Sequence, residues 1–128
     1  MKLVLDASVL IAATEIGDAN HTRAQAIMAG AGSDAMVVHP LTLAEVLVGA
    51  VRAGAGAAFQ QSVATAGVTC LSGDVIGPLE IATVRAESGL KIPDAVVLAT
   101  AEALGGSLAT LDGALADRAA ARGVEVVG

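Results

Sequence analysis

Apolar positions along this chain alternate between two periods. Residues 2–5 form a short continuous apolar run that reads as a buried strand. Ala35–Val38, Val68–Leu71, Ser107–Thr110 and Val124–Val127 read the same way. Between these runs the spacing turns helical. A short helix starts near Ser8 and runs through Val9-Leu10-Ile11. Asp18 to Ala29 reads as a helix capped by Asp18 and stopped by Gly30. Thr42 to Ala53 puts Leu43, Val46, Leu47 and Ala50 on one face, with Gly54 as stop. Ala55–Ala66 carries a weaker helical pattern, and Asp74–Ser88 a further helix ended by Gly89. Pro93 opens a helix over Asp94–Leu104, terminated by Gly105-Gly106, and Gly113–Arg122 precedes Gly123. Strands separated by helices imply a parallel sheet of about five strands with helices on both faces, an α/β/α sandwich. No linker or internal repeat interrupts the pattern, and 128 residues suit a single domain over 1–128.

Composition narrows this picture. Hydrophobic residues make up 55% of the chain but aromatics only 1%, so the core is built from Ala, Val, Leu and Ile, with Phe59 the sole ring. The lone Cys70 excludes an intrachain disulfide and is expected to be a small buried hydrophobe. No window is long and apolar enough for a membrane span, and the start does not resemble a secretory signal. A cytoplasmic protein is expected. The net charge of −6 argues against gripping nucleic acid by charge alone.

Four acids change the reading most. Asp6 follows Leu3-Val4-Leu5, and Glu45 interrupts Leu43-Ala44 and Val46-Leu47. Asp94 opens Ala95-Val96-Val97, and Asp112 closes Leu108-Ala109-Thr110-Leu111. Each sits at the edge of, or inside, a stretch that reads as buried, where an unpaired carboxylate is costly unless paired, protonated or bound to a cation. Ligands of such sheets bind off the carboxyl ends of the strands. Asp6 and Asp112 lie at two of those ends, and the helices carrying Glu45 and Asp94 start at the same rim. Converging there, the four form a hard-oxygen site for Mg²⁺ or Mn²⁺. Each acid also has a plainer reading: Asp6 as a helix cap, Glu45 as a solvated helix residue, Asp94 as a dipole partner, Asp112 as a turn residue.

The ordered set resembles a PIN-domain ribonuclease of the VapC type, the toxin of bacterial type II toxin–antitoxin pairs. The resemblance spans nearly the whole chain. It rests on Leu3-Val4-Leu5-Asp6-Ala7-Ser8, on Leu43-Ala44-Glu45-Val46, on Pro93-Asp94-Ala95 and on Ala109-Thr110-Leu111-Asp112. It implies Mg²⁺- or Mn²⁺-dependent hydrolysis of RNA phosphodiesters, with Asp6, Glu45, Asp94 and Asp112 as catalytic and metal-binding acids. Metal-activated water is the implied attacker, because two divalent ions about 3.5–4 Å apart can stabilise attacking and leaving oxygens. Thr110 and Ser8 match supporting positions, and Asp117 is a looser candidate for a further acid. The resemblance also implies a homodimer, held inactive by a cognate antitoxin; an acidic cleft leads us to expect that the antitoxin inserts a basic side chain there. The Ala- and Gly-rich helices at 41–66 are the expected interface.

RNA phosphates have five candidate partners, Arg23, Arg52, Arg85, Lys91 and Arg118, none in a basic run. His21 and His39 are not needed by the chemistry. A receiver domain wants paired acids after the first strand and a late Lys, and none follows Lys91. A haloacid-dehalogenase-like phosphatase wants a second Asp where Ser8 stands. A catalytically inactive PIN-like interaction domain is the serious alternative.

Overall fold

A computed structural model describes residues 1–128. In chain order the elements are β1 (Lys2–Leu5), α1 (Ala7–Thr14), α2 (His21–Ala29), β2 (Ala35–Val38), α3 (Pro40–Arg52), α4 (Gly56–Thr65), β3 (Val68–Cys70), α5 (Pro78–Ser88), α6 (Ile92–Leu104), β4 (Ser107–Ala109), α7 (Gly113–Ala121) and β5 (Val126–Val127). The five strands pair in the order β3-β2-β1-β4-β5, all parallel. Alternate residues of β1 serve opposite faces. Val4 packs with Val37, Leu108 and the apolar faces of α5, α6 and α7, whereas Leu3 and Leu5 pack with α1, α2, α3 and α4. The two cores are of similar size, 15 and 13 buried residues, so the sheet is the middle of three layers.

α6 is the most deeply set helix, with Ala95 to Ala101 all buried, which fits its apolar sequence. Gly105, at φ 60°, ends it in the left-handed conformation that favours glycine. Gly106 then passes so close to β1 that a Cβ would lie 2.5 Å from the Lys2 carbonyl oxygen. This tight approach lets β4 run directly beside β1, with Leu5 opposite Ala109.

Three expectations are corrected. Asp18 does not cap α2: its Oδ1 accepts from the Asn20 N–H at 2.7 Å in a turn, and the helix starts at His21. Asp74 sits in another turn, accepting from Ser72 Oγ at 2.5 Å, and α5 begins four residues later at Pro78. Cys70 is exposed, because β3 is an edge strand of which only Val68 is covered. Phe59 is partly buried against the core on the α1–α4 side. No helix is long and apolar enough to cross a membrane.

Candidate active site

Parallel strands present their carboxyl ends at one edge, and the central β1 delivers Asp6 there, between the ends of β2 and β4. Asp6 is buried, 6% exposed. Its Oδ2 accepts two hydrogen bonds, from Ser8 Oγ at 2.7 Å and Thr110 Oγ1 at 2.8 Å. Each hydroxyl has one proton, and both are spent on this oxygen. The hydroxyls are in turn held by backbone donors: the Leu111 N–H on Ser8 Oγ and the Asp112 N–H on Thr110 Oγ1, each at 3.0 Å. The 3.4 Å approach of the two hydroxyl oxygens is then a contact between atoms whose protons point elsewhere. Asp6 precedes α1 but makes no side-chain cap, so the plain capping role is not the one it takes.

The other three acids come from separate elements. Asp112 caps α7, its Oδ1 accepting from the Leu115 N–H at 3.0 Å, which engages one of its two oxygens. Asp94 is half-buried in the first turn of α6. Glu45 lies in the second turn of α3 and is exposed, as is Asp112. The acids therefore line a rim above one buried member, which corrects the expectation of burial. Leu43 and Val46 take the buried side of α3 and leave Glu45 outside.

None of the three ion pairs, Met1–Asp34, Arg122–Glu87 and Arg122–Glu102, neutralises one of these four carboxylates. Two of the four titrate above their ordinary values. Glu45 is raised above its ordinary value by desolvation, then by the charges of Asp6 and Asp94. Asp94 is raised by desolvation, then by Asp6 and Asp112, with partial relief from Lys91. The acids thus feel one another's charge, yet no three His, Cys, Asp or Glu side chains close into a metal-ligating group. The donor set is all oxygen, anionic and short of cationic partners, which fits a hard divalent cation. Beside it, Ser8, Ile11, Ala12, Asp18, Asn20, Leu111 and Asp112 line a hollow of about 310 Å³.

Asp117 is exposed on α7, without a hydrogen bond or ion pair, and its charge is not among those acting on Glu45 or Asp94. Arg85 donates to the Leu90 carbonyl and is structurally engaged. Arg23, Arg52 and Arg118 are exposed. The two histidines are structural. His21 Nδ1–H donates to the Ala12 carbonyl at 2.8 Å. His39, 4% exposed, caps α3, its Nδ1 accepting from the Leu41 N–H at 3.1 Å, and burial pushes its pKa down. Sequence reasoning passed over Thr42. Its hydroxyl, one turn before Glu45, is the one buried side-chain polar atom without a partner. Its spacing three residues before an acid was the available signal.

The PIN domain family matches residues 3–121 of the chain. No curated protein matches it by sequence. Among solved structures, a toxin–antitoxin complex from Klebsiella pneumoniae is similar at 25% identity and TM-score 0.66, over 87% of each chain. VapC20 of Mycobacterium tuberculosis, a sarcin-ricin loop cleaving toxin, aligns at 18% identity and TM-score 0.68, over 94% of this chain and 95% of its own. VapBC-1 from nontypeable Haemophilus influenzae aligns at 17% identity and TM-score 0.68, over 99% of this chain and 97% of its own. With its three-layer fold and a family match over nearly its full length, the chain belongs to the PIN-domain family.

Proposed function

We propose that the chain is one catalytic domain, a Mg²⁺- or Mn²⁺-dependent endoribonuclease acting as the toxin of a toxin–antitoxin pair. The observation that carries this reading is the Asp6 arrangement. A buried carboxylate has one oxygen fixed by two hydroxyls, while three further acids face the same rim and no cation pairs with any of them. A fold gains nothing in stability from such a cluster, since like charges at one site repel. It gains a place for a divalent ion and an RNA phosphate.

Asp6, Asp94, Asp112 and Glu45 would hold the cation. When bound, it supplies Lewis-acid polarisation of the phosphate and a more acidic attacking water. Ser8 and Thr110 keep Asp6 oriented, since both donate to the same carboxylate oxygen. Asp112 keeps one oxygen on α7, which leaves the other without a protein partner and available to a cation. The raised pKa values of Glu45 and Asp94 reflect crowded, partly desolvated negative charge, which a bound cation would relieve. Supporting this reading, the solved neighbours include a toxin–antitoxin complex and a sarcin-ricin loop cleaving toxin.

Leu41, Val48 and Val51 stand exposed along α3, at 55%, 45% and 63%, an apolar face suited to a homodimer. The antitoxin would place a basic side chain among the four acids. We expect cytoplasmic action on RNA. The test is incubation of the purified chain with total RNA and Mg²⁺ or Mn²⁺, with EDTA and Asp6→Asn as controls. Metal-dependent fragments absent from both controls are expected. A folded protein that cleaves nothing with either metal would leave a non-catalytic PIN-like interaction domain instead.

A further inference from the structure

Lys91 occupies a position that local stability disfavours. It is the residue at the N-cap of α6, with extended backbone and no side-chain cap. Ser, Thr, Asp and Asn are preferred there because their oxygens satisfy orphan N–H groups. The helix dipole at that end favours anions and opposes an ammonium. A lysine that breaks both rules, with only the partial relief of Asp94 in return, points to a role outside folding. Lys91 is exposed and joins no ion pair or hydrogen bond, so its head group is free. It lies three residues before Asp94, at the start of the helix that carries this acid to the rim. Its charge acts on Asp94. Arg85 and Arg122 are tied to protein partners.

An acidic chain must still admit a polyanion to this rim, and the reacting phosphate occupies the carboxylates and their cation. The phosphates on either side need a separate cation. We propose that Lys91 is the phosphate-holding residue of the site, gripping an RNA phosphate next to the one that reacts. The inference rests on the ribonuclease reading.

The test measures binding, not cleavage. A fluorescent single-stranded oligoribonucleotide of mixed sequence is titrated by anisotropy at several salt concentrations, with Mg²⁺ present. All proteins carry Glu45→Gln to prevent turnover, alone or with Lys91→Ser or Lys91→Arg. Losing one phosphate contact lowers the slope of log K against log salt by about 0.7 and weakens binding about 5-fold at roughly 0.1 M salt. Lys91→Ser should show both changes while melting no lower than its parent, since serine is the better cap. Lys91→Arg should keep the parent slope. Unchanged affinity and slope in Lys91→Ser would overturn the assignment, as would equal losses in the Ser and Arg variants. A parent that binds no RNA would overturn the ribonuclease reading as well, which separates the two failures.

Discussion

Thr110→Val tests the Asp6 arrangement most directly. Valine replaces the hydroxyl by a methyl of similar volume, so the 2%-exposed site stays filled. Two hydrogen bonds disappear: the donation to Asp6 Oδ2 at 2.8 Å and the acceptance from the Asp112 N–H at 3.0 Å. A hydrogen bond to a charged group contributes about 1.5–3 kcal/mol. The Asp112 amide is only partly buried, so water replaces much of its bond. The net destabilisation should be about 2–3 kcal/mol, a large part of the roughly 5–15 kcal/mol that holds a domain together. For 128 residues the unfolding entropy is about 0.27 kcal/mol/K, so the melting temperature should fall by about 7–11 °C. Circular dichroism melts in EDTA measure this without metal. Thr110→Ser keeps the hydroxyl and should recover most of the loss. The same substitution should raise the metal concentration needed for RNA cleavage, because Asp6 is held by Ser8 alone. A Thr110→Val protein that melts with the parent, or a Thr110→Ser protein that melts with Thr110→Val, would refute the reasoning.

Asp94→Asn should stabilise the metal-free protein while abolishing cleavage. Because the folded protein raises the pKa of Asp94, it holds that proton more tightly than the unfolded chain does, so stability falls as pH rises through the folded value. The penalty is complete near neutral pH, so denaturant midpoints in EDTA should rise there and be unchanged well below the ordinary value of 3.8. His39 has the opposite sign. Its lowered pKa means stability is full above the ordinary 6.5 and lost as pH falls below it, by at most about 1.4 kcal/mol per pH unit. His39→Asn caps α3 without titrating, so its midpoint should lack that acid-side decline. Mg²⁺ at a hundredfold excess over its dissociation constant should stabilise the protein by about 2.7 kcal/mol in a thermal melt. Asp6→Asn should remove most of that gain.

Where the sequence was legible, two periodicities coincided with short strands and amphipathic helices. The placement of Asp6 and Thr110 at adjacent strand ends follows from that order alone, since β1 and β4 meet at the switch of the sheet. Helix starts were less legible. Asp18 and Asp74 carry side chains that cap helices and make tight turns equally well, and here both make turns. The start of α5 was instead marked by Pro78 and by Glu80, whose Oε1 accepts from the Gly77 N–H at 3.1 Å. Exposure was not legible for Glu45 or Cys70. Apolar neighbours in sequence say nothing of which side of a helix a residue takes, or whether a strand lies at the sheet's edge. Which cation serves the site was equally hidden, because Lys91 gains its meaning from Asp94 and from the helix end it occupies.

The fixing of Asp6 by Ser8 and Thr110 has a consequence for synthesis. Asp6 is made well before its second hydroxyl partner, Thr110, which lies 104 residues later. Asp94 and Asp112 emerge in the last third of the chain. β1 cannot acquire its neighbour on one side until β4 has been made. A chain that stops short of β4 therefore lacks both the strand beside β1 and the second hydroxyl that holds Asp6. On the toxin reading proposed above, the active arrangement cannot form before β4 is made, which gives an inhibitor made beforehand that interval to be in place.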